Sequence, residues 1–263
     1  MEHTLNVLEL LAGSDSPLGV TEIAERLGLS RPGAHRLLAA LRARGFAQQE
    51  QTTARYSIGL RAFELATLAA SRRDLRSAAA PYLRALNEET GETVHEAVYD
   101  DGHVIYLDRV ESRRPVAPIS RIGARAPAHC VATGLAILAY LPAEEIEALL
   151  ARPLERFTDS TPVTGEEILE DIEATRHRGW ALNVGSWRSD VGGVAAPIRD
   201  YGGGVIASLG CCVPSSRLTR RTRPVLVERT VAAAAAVSAA LGFVVPAGGR
   251  EGYGSGTRAQ LDR

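Results

Sequence analysis

The stretch SRPGAHRLLAALRAR, residues 30–44, decides how the first quarter of this 263-residue chain folds. Ser30 is a good helix N-cap, and Pro32 falls in the first turn, where a missing N–H leaves nothing unpaired. Ala34, Leu37, Leu38 and Leu41 share one stripe at about 100° per residue, so they face a core. Opposite them fall Pro32, Arg36, Ala39 and Ala40, with Arg31, Gly33 and His35 on the flanks. An outward face of small residues around a few donors suits a helix pushed into a major groove, where bulk would hold it away. A merely solvated helix more typically carries mixed charges there.

Working outward, Leu5, Leu8 and Leu11 predict a first helix that stops at Gly13 and Pro17. Thr21 reads as the N-cap of a second helix, with Glu22 and Glu25 in its first turn and Ile23, Ala24 and Leu27 as its buried stripe. Gly28 stands where a left-handed C-cap wants glycine, giving a tight helix-turn-helix. After Gly45, Phe46–Gln49 and Arg55–Ile58 flank a polar turn and read as a hairpin closed by Gly59, a wing. In this arrangement Thr21, Ser30, Arg44 and Arg55 would hold phosphates. Arg31, His35 and Arg36, with Gly33 beside them, would meet base edges.

Charge supports that assignment only once it is divided by position. All thirty basic residues are arginine, against thirty-one acids, for a net charge of −1. Residues 26–61 hold seven arginines and one acid, Glu50, a local +6 that suits a polyanion-binding surface. A composition 45% hydrophobic and 23% charged excludes a disordered or fibrous chain. Three cysteines make no metal-ligand or paired-disulfide spacing, as in a reducing compartment. The most apolar stretch, 231–245, is short and alanine-built for a bilayer span, and no leader-like segment opens the chain. The expectation is a cytoplasmic protein without membrane contact.

Beyond residue 60 the pattern predicts two helices, Leu60–Leu68 and Asp74–Glu89, as a linker that could pack on a symmetry mate. The hydrophobic period then shortens. Strands are expected at 94–99 and 103–110 around the turn Asp100-Asp101-Gly102, at 115–122, and at 180–184, 193–198 and 205–213. Helices are expected at 130–141, 143–150, 166–177 and about 219–241. The fold class is therefore α+β: an N-terminal winged helix-turn-helix plus a C-terminal GAF- or profilin-like domain, a six-stranded antiparallel sheet with helices. The boundaries read as 1–68 for the first domain, 69–90 for a linker helix and 91–246 for the second domain. A glycine-rich tail, 247–263, is expected to be disordered.

The chain resembles the IclR family of bacterial transcriptional regulators over nearly its whole length. The matching segments are LGVTEIA (18–24), RPGAHRLL (31–38), RYSIG (55–59), GARAPAH (123–129), RGWA (178–181) and VAAPIRD (194–200). The resemblance implies a homodimer, often a dimer of dimers, that binds double-stranded operator DNA. It also implies a C-terminal domain that binds a small effector, commonly an organic acid or aromatic catabolite, and no cofactor. By the same resemblance Gly123 and Ala124 match backbone donors to the effector, with His129 closing that motif. Asn183 matches a position often acidic, Val191 and Gly193 line the pocket, and Gly210 and Cys212 match positions that carry hydroxyls. The glycine before a helix independently suggests free N–H groups. Gly193 at a position frequently cysteine, and Trp187 as a wall or an interface residue, suggest a bulkier, more apolar effector. The expected role is an effector-responsive regulator, a repressor of a catabolic operon. The alternative keeps the DNA-binding domain and makes the second domain a ligand-free dimerisation module.

An active site is disfavoured by local geometry. His129 and Cys130 are adjacent, so on a helix they point about 100° apart and cannot pair as base and nucleophile. Cys211 and Cys212, adjacent on a strand, point to opposite faces. His95, His103 and His129 show no metal-ligand spacing. A Cys/His hydrolase is the last reading, and no metal or catalytic residue is assigned.

Overall fold

The computed structural model describes residues 2–71, 75–115 and 120–244. It divides into two compact units, 1–73 and 74–263. The tail 247–263, Arg72 and Arg73, and residues 116–119 of the expected third strand lie outside the described residues.

In the first unit, α1 (Glu2–Ala12), α2 (Val20–Arg26) and α3 (Arg31–Ala43) precede a short hairpin of β1 (Ala47–Gln49) and β2 (Tyr56–Ile58) and then α4 (Leu60–Ser71). One core joins them: Val7, Leu11, Leu18, Ile23, Leu38, Leu41 and Tyr56. The stripe on α1 runs through Val7 and Leu11 rather than Leu5, which is 56% exposed. A spacing of four keeps two side chains over one another, whereas the leucines drift round the helix. Gly28, at φ +63°, ends α2 as expected. Thr21 is not the N-cap of α2: the helix begins at Val20 and Gly19 caps it without a side-chain bond. Ser30 does cap α3, its hydroxyl accepting from the Gly33 N–H at 3.2 Å.

The second unit begins with α5 (Leu75–Thr90), followed by β3 (Thr93–Asp100), β4 (His103–Val110) and β5 (Arg125–Pro127). A 3₁₀ turn at Ala128–Cys130 leads into α6 (Ala132–Leu138), then α7 (Ala143–Leu150) and α8 (Gly165–Arg178). Strands β6 (Ala181–Val184), β7 (Val191–Arg199) and β8 (Val205–Pro214) and helix α9 (Arg223–Ala240) complete it. The six strands are antiparallel in the order β5-β4-β3-β8-β7-β6. Helices α5 and α9 cover one face through Leu83, Leu86, Leu226 and Val237; α6 and α8 cover the other through Leu135, Leu138, Ile168 and Ile172.

Two expectations change here. A strand lies at 125–127; of the expected 115–122, residues 116–119 lie outside the described residues and 120–122 are not strand, and they lead into a turn in which Gly123, at φ +81°, donates to the Tyr106 carbonyl at 2.8 Å. Helix α5, read as part of a linker, packs its apolar side, Leu75, Ala79, Leu83 and Leu86, on its own sheet, so that surface is not available to a symmetry mate.

Candidate functional site

On the first unit the outward face of α3 is open. Arg31, Pro32, His35, Arg36, Ala39, Ala40 and Ala43 are all exposed, while Ala34, Leu38 and Leu41 are buried. Gly33 sits in the first turn, its N–H held by Ser30. Arg31, Arg36 and Arg44 make no ion pair with another described residue, so their charges are uncommitted. Thr21 and Ser30 are exposed near the starts of α2 and α3.

Arg55 differs from expectation. It is not a free tip residue: its Nε donates to the Pro17 carbonyl at 2.7 Å and its Nη2 pairs with Glu22 at 2.8 Å, while Arg26 takes the other Glu22 oxygen. The reason is the wing's shortness. Three-residue strands bring the turn end of the hairpin close to the loop before α2, where Tyr56 bridges Leu18 and sets Arg55 beside Pro17.

On the second unit, strand register assembles a site. Asn183 pairs with Gly193, Gly193 with Cys212, and Cys212 with Thr93, in one row across four strands. The neighbouring row is Ala181, Ala195, Gly210 and His95. Residues two apart share a face, so both rows look toward α6. There they bound a cavity of about 50 Å³. Asn183, Trp187, Val191, Gly193, Gly210 and Cys212 all line it. Gly123, Ala124 and His129 do not, and the expected free N–H groups are taken, since Ala124 donates to the Arg121 carbonyl at 3.1 Å.

The glycines of the site do not enlarge it, as had been expected of Gly193. A Cβ there would meet the Cys211 carbonyl oxygen at 2.9 Å and the Ala132 methyl at 3.6 Å. One at Gly210 would stand 2.8 Å from the Val194 carbonyl and 3.1 Å from the Thr133 methyl. These glycines let α6 settle on the sheet. Asn183 fastens that arrangement, its Nδ2 donating to the Cys130 carbonyl at 2.7 Å.

The structure adds residues that sequence reasoning missed: His95, Tyr106, Ser120, Thr133 and Arg188 also line the cavity. The His95 ring lies 4.5 Å from that of Tyr106 and hydrogen-bonds Ser120. Burial, with Arg109 nearby, holds His95 down at about 3, so it is neutral. The period-two alternation of 93–99 carried the signal for His95, but only register shows that it faces Gly210.

Nucleophilic chemistry has no support. Burial pushes the Cys130 thiol up to about 12, and the ring nitrogens of buried His129 have no hydrogen-bond partner among the described residues. Cys211 and Cys212 take opposite faces: Cys211 packs on the α9 side, where the Thr230 hydroxyl donates to its sulfur, and Cys212 lines the cavity. Among the described residues no three His, Cys, Asp or Glu side chains converge on a metal-sized site, and no helix is long and apolar enough to cross a membrane.

Comparison with known proteins matches a domain family to each end of the chain. Residues 1–51 match the IclR helix-turn-helix domain and residues 67–239 the bacterial transcriptional regulator IclR C-terminal domain. The HTH-type transcriptional regulator XynR of Escherichia coli is 30% identical over 244 residues, covering 92% of this chain and 97% of its own. The glycerol operon regulatory protein of Streptomyces coelicolor is 32% identical, covering 92% and 96%. An IclR homologue from Microbacterium hydrocarbonoxydans, solved in complex with 4-hydroxybenzoate, superposes with a TM-score of 0.81 at 26% identity, covering 91% of this chain and 97% of that one. With an exposed recognition helix in one unit, an α6-covered cavity in the other and relatives that are regulators rather than enzymes, the chain belongs to the IclR family of bacterial transcriptional regulators.

Proposed function

We propose that this regulator is a cytoplasmic repressor of a catabolic operon whose hold on operator DNA is set by a small organic acid in the cavity beneath α6. The observation that carries the reading is the outward face of α3, alanines and a glycine around exposed, unpaired Arg31 and Arg36. Such a face enters a major groove without steric cost, and its guanidinium groups suit guanine O6 and N7. Thr21, Ser30 and Arg44 lie where phosphates would pass. Arg55 serves first as a brace for the wing.

A homodimer would place two such helices about 34 Å apart in successive grooves of a roughly palindromic site. Leu60 and Phe63 on α4, 72% and 68% exposed, give the apolar surface that a second copy needs. A dimer of dimers would use the same unit twice.

The cavity beneath α6 is small, about 50 Å³. That favours a short acid over the bulkier, aromatic effector expected from the sequence, unless Trp187 moves aside. Effector binding then changes operator affinity by a coupling energy of about 1–3 kcal/mol. The test is a salt-titrated binding measurement on the DNA upstream of the protein's own gene, with and without short acids. Salt-dependent binding released by an acid is expected; indifference to that DNA in dilute buffer overturns the reading.

A further inference from the structure

The second unit divides its charge as sharply as the first. Residues 143–173, which hold α7 and most of α8, carry ten acids and two arginines, whereas residues 201–227 carry four arginines and no acid. The near-neutral total conceals both regions. Those four, Arg217, Arg220, Arg221 and Arg223, lie in the 3₁₀ turn after β8, the loop that follows it and the first residue of α9.

The fold adds a second run from far earlier in the chain. Glu92, 3% exposed, takes Arg114 on one carboxylate oxygen at 3.0 Å and Arg217 on the other at 2.6 Å. One buried negative charge thus ties Arg113-Arg114 to the 217–223 loop and leaves the cations in excess. Arg113, Arg220 and Arg221 are exposed and make no ion pair with another described residue. Both loops are held in shape. Thr219 and Thr222 exchange bonds, each N–H donating to the other's hydroxyl, at 2.9 and 3.2 Å. The Ser112 hydroxyl donates to the Gly91 carbonyl at 2.7 Å, and Arg114 donates to that of Thr90 at 2.9 Å. Guanidinium groups on such loops lose little backbone freedom when a partner arrives. Helix α9 starts in the same loop and turns the positive end of its dipole toward it.

Several guanidinium groups spread over two exposed loops suit a polyanion rather than one small anion, and their forked donors match phosphate oxygens. The acidic segment 143–173 of a second copy is the other polyanion at hand. It is the poorer match, because Glu167 is spent on the capping box of α8 and Glu173 pairs with Arg176. We propose that Arg113, Arg114, Arg217, Arg220 and Arg221 form a second DNA-contacting surface, which holds phosphates of the duplex outside the bases that α3 reads. Linkage in one chain raises the local concentration of a duplex already held through α3. Resting on the α3 reading given above, this surface adds affinity for any sequence and no base discrimination.

The test uses the full chain and two duplexes from upstream of its own gene. One is trimmed to the shortest length that keeps sequence discrimination, and the other is longer by about one helical turn on each side. Wild type should bind the longer duplex more tightly, with a salt slope steeper by about 0.9 for each added phosphate contact. Arg220→Gln combined with Arg221→Gln should abolish that gain and leave the trimmed duplex bound as in wild type. The same double variant should bind a long duplex of scrambled sequence with a slope lowered by about two, and Arg156→Gln, on the acidic side, should change neither result. Equal binding of both lengths by wild type, a gain that survives in the double variant, or an unchanged slope on the scrambled duplex each overturns the assignment. If the double variant instead changes only the oligomeric state in sedimentation, the surface takes a second copy and the proposal falls. Wild-type protein that does not prefer the trimmed duplex to a scrambled one sinks the operator reading, while the slope on scrambled DNA still decides this one.

Discussion

On α3 the small residues stand outside, with Arg31, His35 and Arg36 exposed around Ala39 and Ala40. On the sheet face beneath α6 the small residues stand inside, Gly193 and Gly210 pressed against Ala132 and Thr133. Both regions use the absence of a side chain to let a helix approach something closely. For α3, on the reading proposed above, the neighbour is operator DNA, and the helix keeps its donors exposed. For α6 the neighbour is the chain's own sheet, and His95, Asn183 and Cys212 line the cavity left between them. Small residues therefore do not announce a ligand; what lies opposite the missing Cβ decides.

The sharpest way to break this comparison is at the buried region. A Cβ at Gly134 of α6 would lie 2.0 Å from the Ala128 carbonyl oxygen. Gly134→Ala should cost about 3 kcal/mol or more, read by denaturant unfolding of the second unit. A stability near wild type would show that α6 is not seated by its glycine.

Glu96, on β3 facing α5, gives the next largest effect. It is fully buried, neither oxygen has a hydrogen-bond partner among the described residues, and it lies opposite Asp108, with Arg76 of α5 bonded to that aspartate. Burial first, then the Asp108 charge, raises it from 4.5 to about 7, against the opposing pull of Arg76. The native state thus keeps a proton that the unfolded chain releases near pH 4.5. Stability from this group is complete below pH 4.5 and is lost as pH rises to about 7. The gap corresponds to on the order of 3 kcal/mol. Melting followed from pH 5 to pH 8 should fall in the wild type and stay flatter in Glu96→Gln; parallel curves would remove Glu96 as the cause.

The exposed region is sharpened by two arginines of unequal role. Arg36→Ala should lose about 1–3 kcal/mol of operator binding and relax discrimination at one base position, in competition assays against point-substituted sites. Arg55→Ala should do less. Its pair with Glu22 is half exposed, so its removal costs about 0.2–1 kcal/mol of stability. Any loss of DNA affinity should be the same for all sequences, with the salt slope lowered by about one if it touches a phosphate. A changed base preference in Arg55→Ala would move it into the groove.

Most of the architecture was legible because local chemistry carries it. Ser30 with Pro32 and Gly28 mark helix ends whatever surrounds them, and the period of two at 94–99 and 205–213 marks strands. Thr21 misled because an N-cap requires an extended backbone as well as a hydroxyl, and Gly19 holds that conformation. Residues 120–122 misled because strand propensity does not exclude the turn that Gly123 makes, at φ +81°, before β5. Arg55 was readable as a cation but not as one already bound.

Residue type and spacing alone thus settled the helix-turn-helix, five of the six strands and the donors on α3, since each depends on neighbours a few positions away. The cavity was decided by the tertiary structure. His95, Asn183, Arg188 and Cys212 are separated by up to 117 residues along the chain and meet only through antiparallel register and the seating of α6. Local periodicity says which face a residue takes and nothing about which residue it will face.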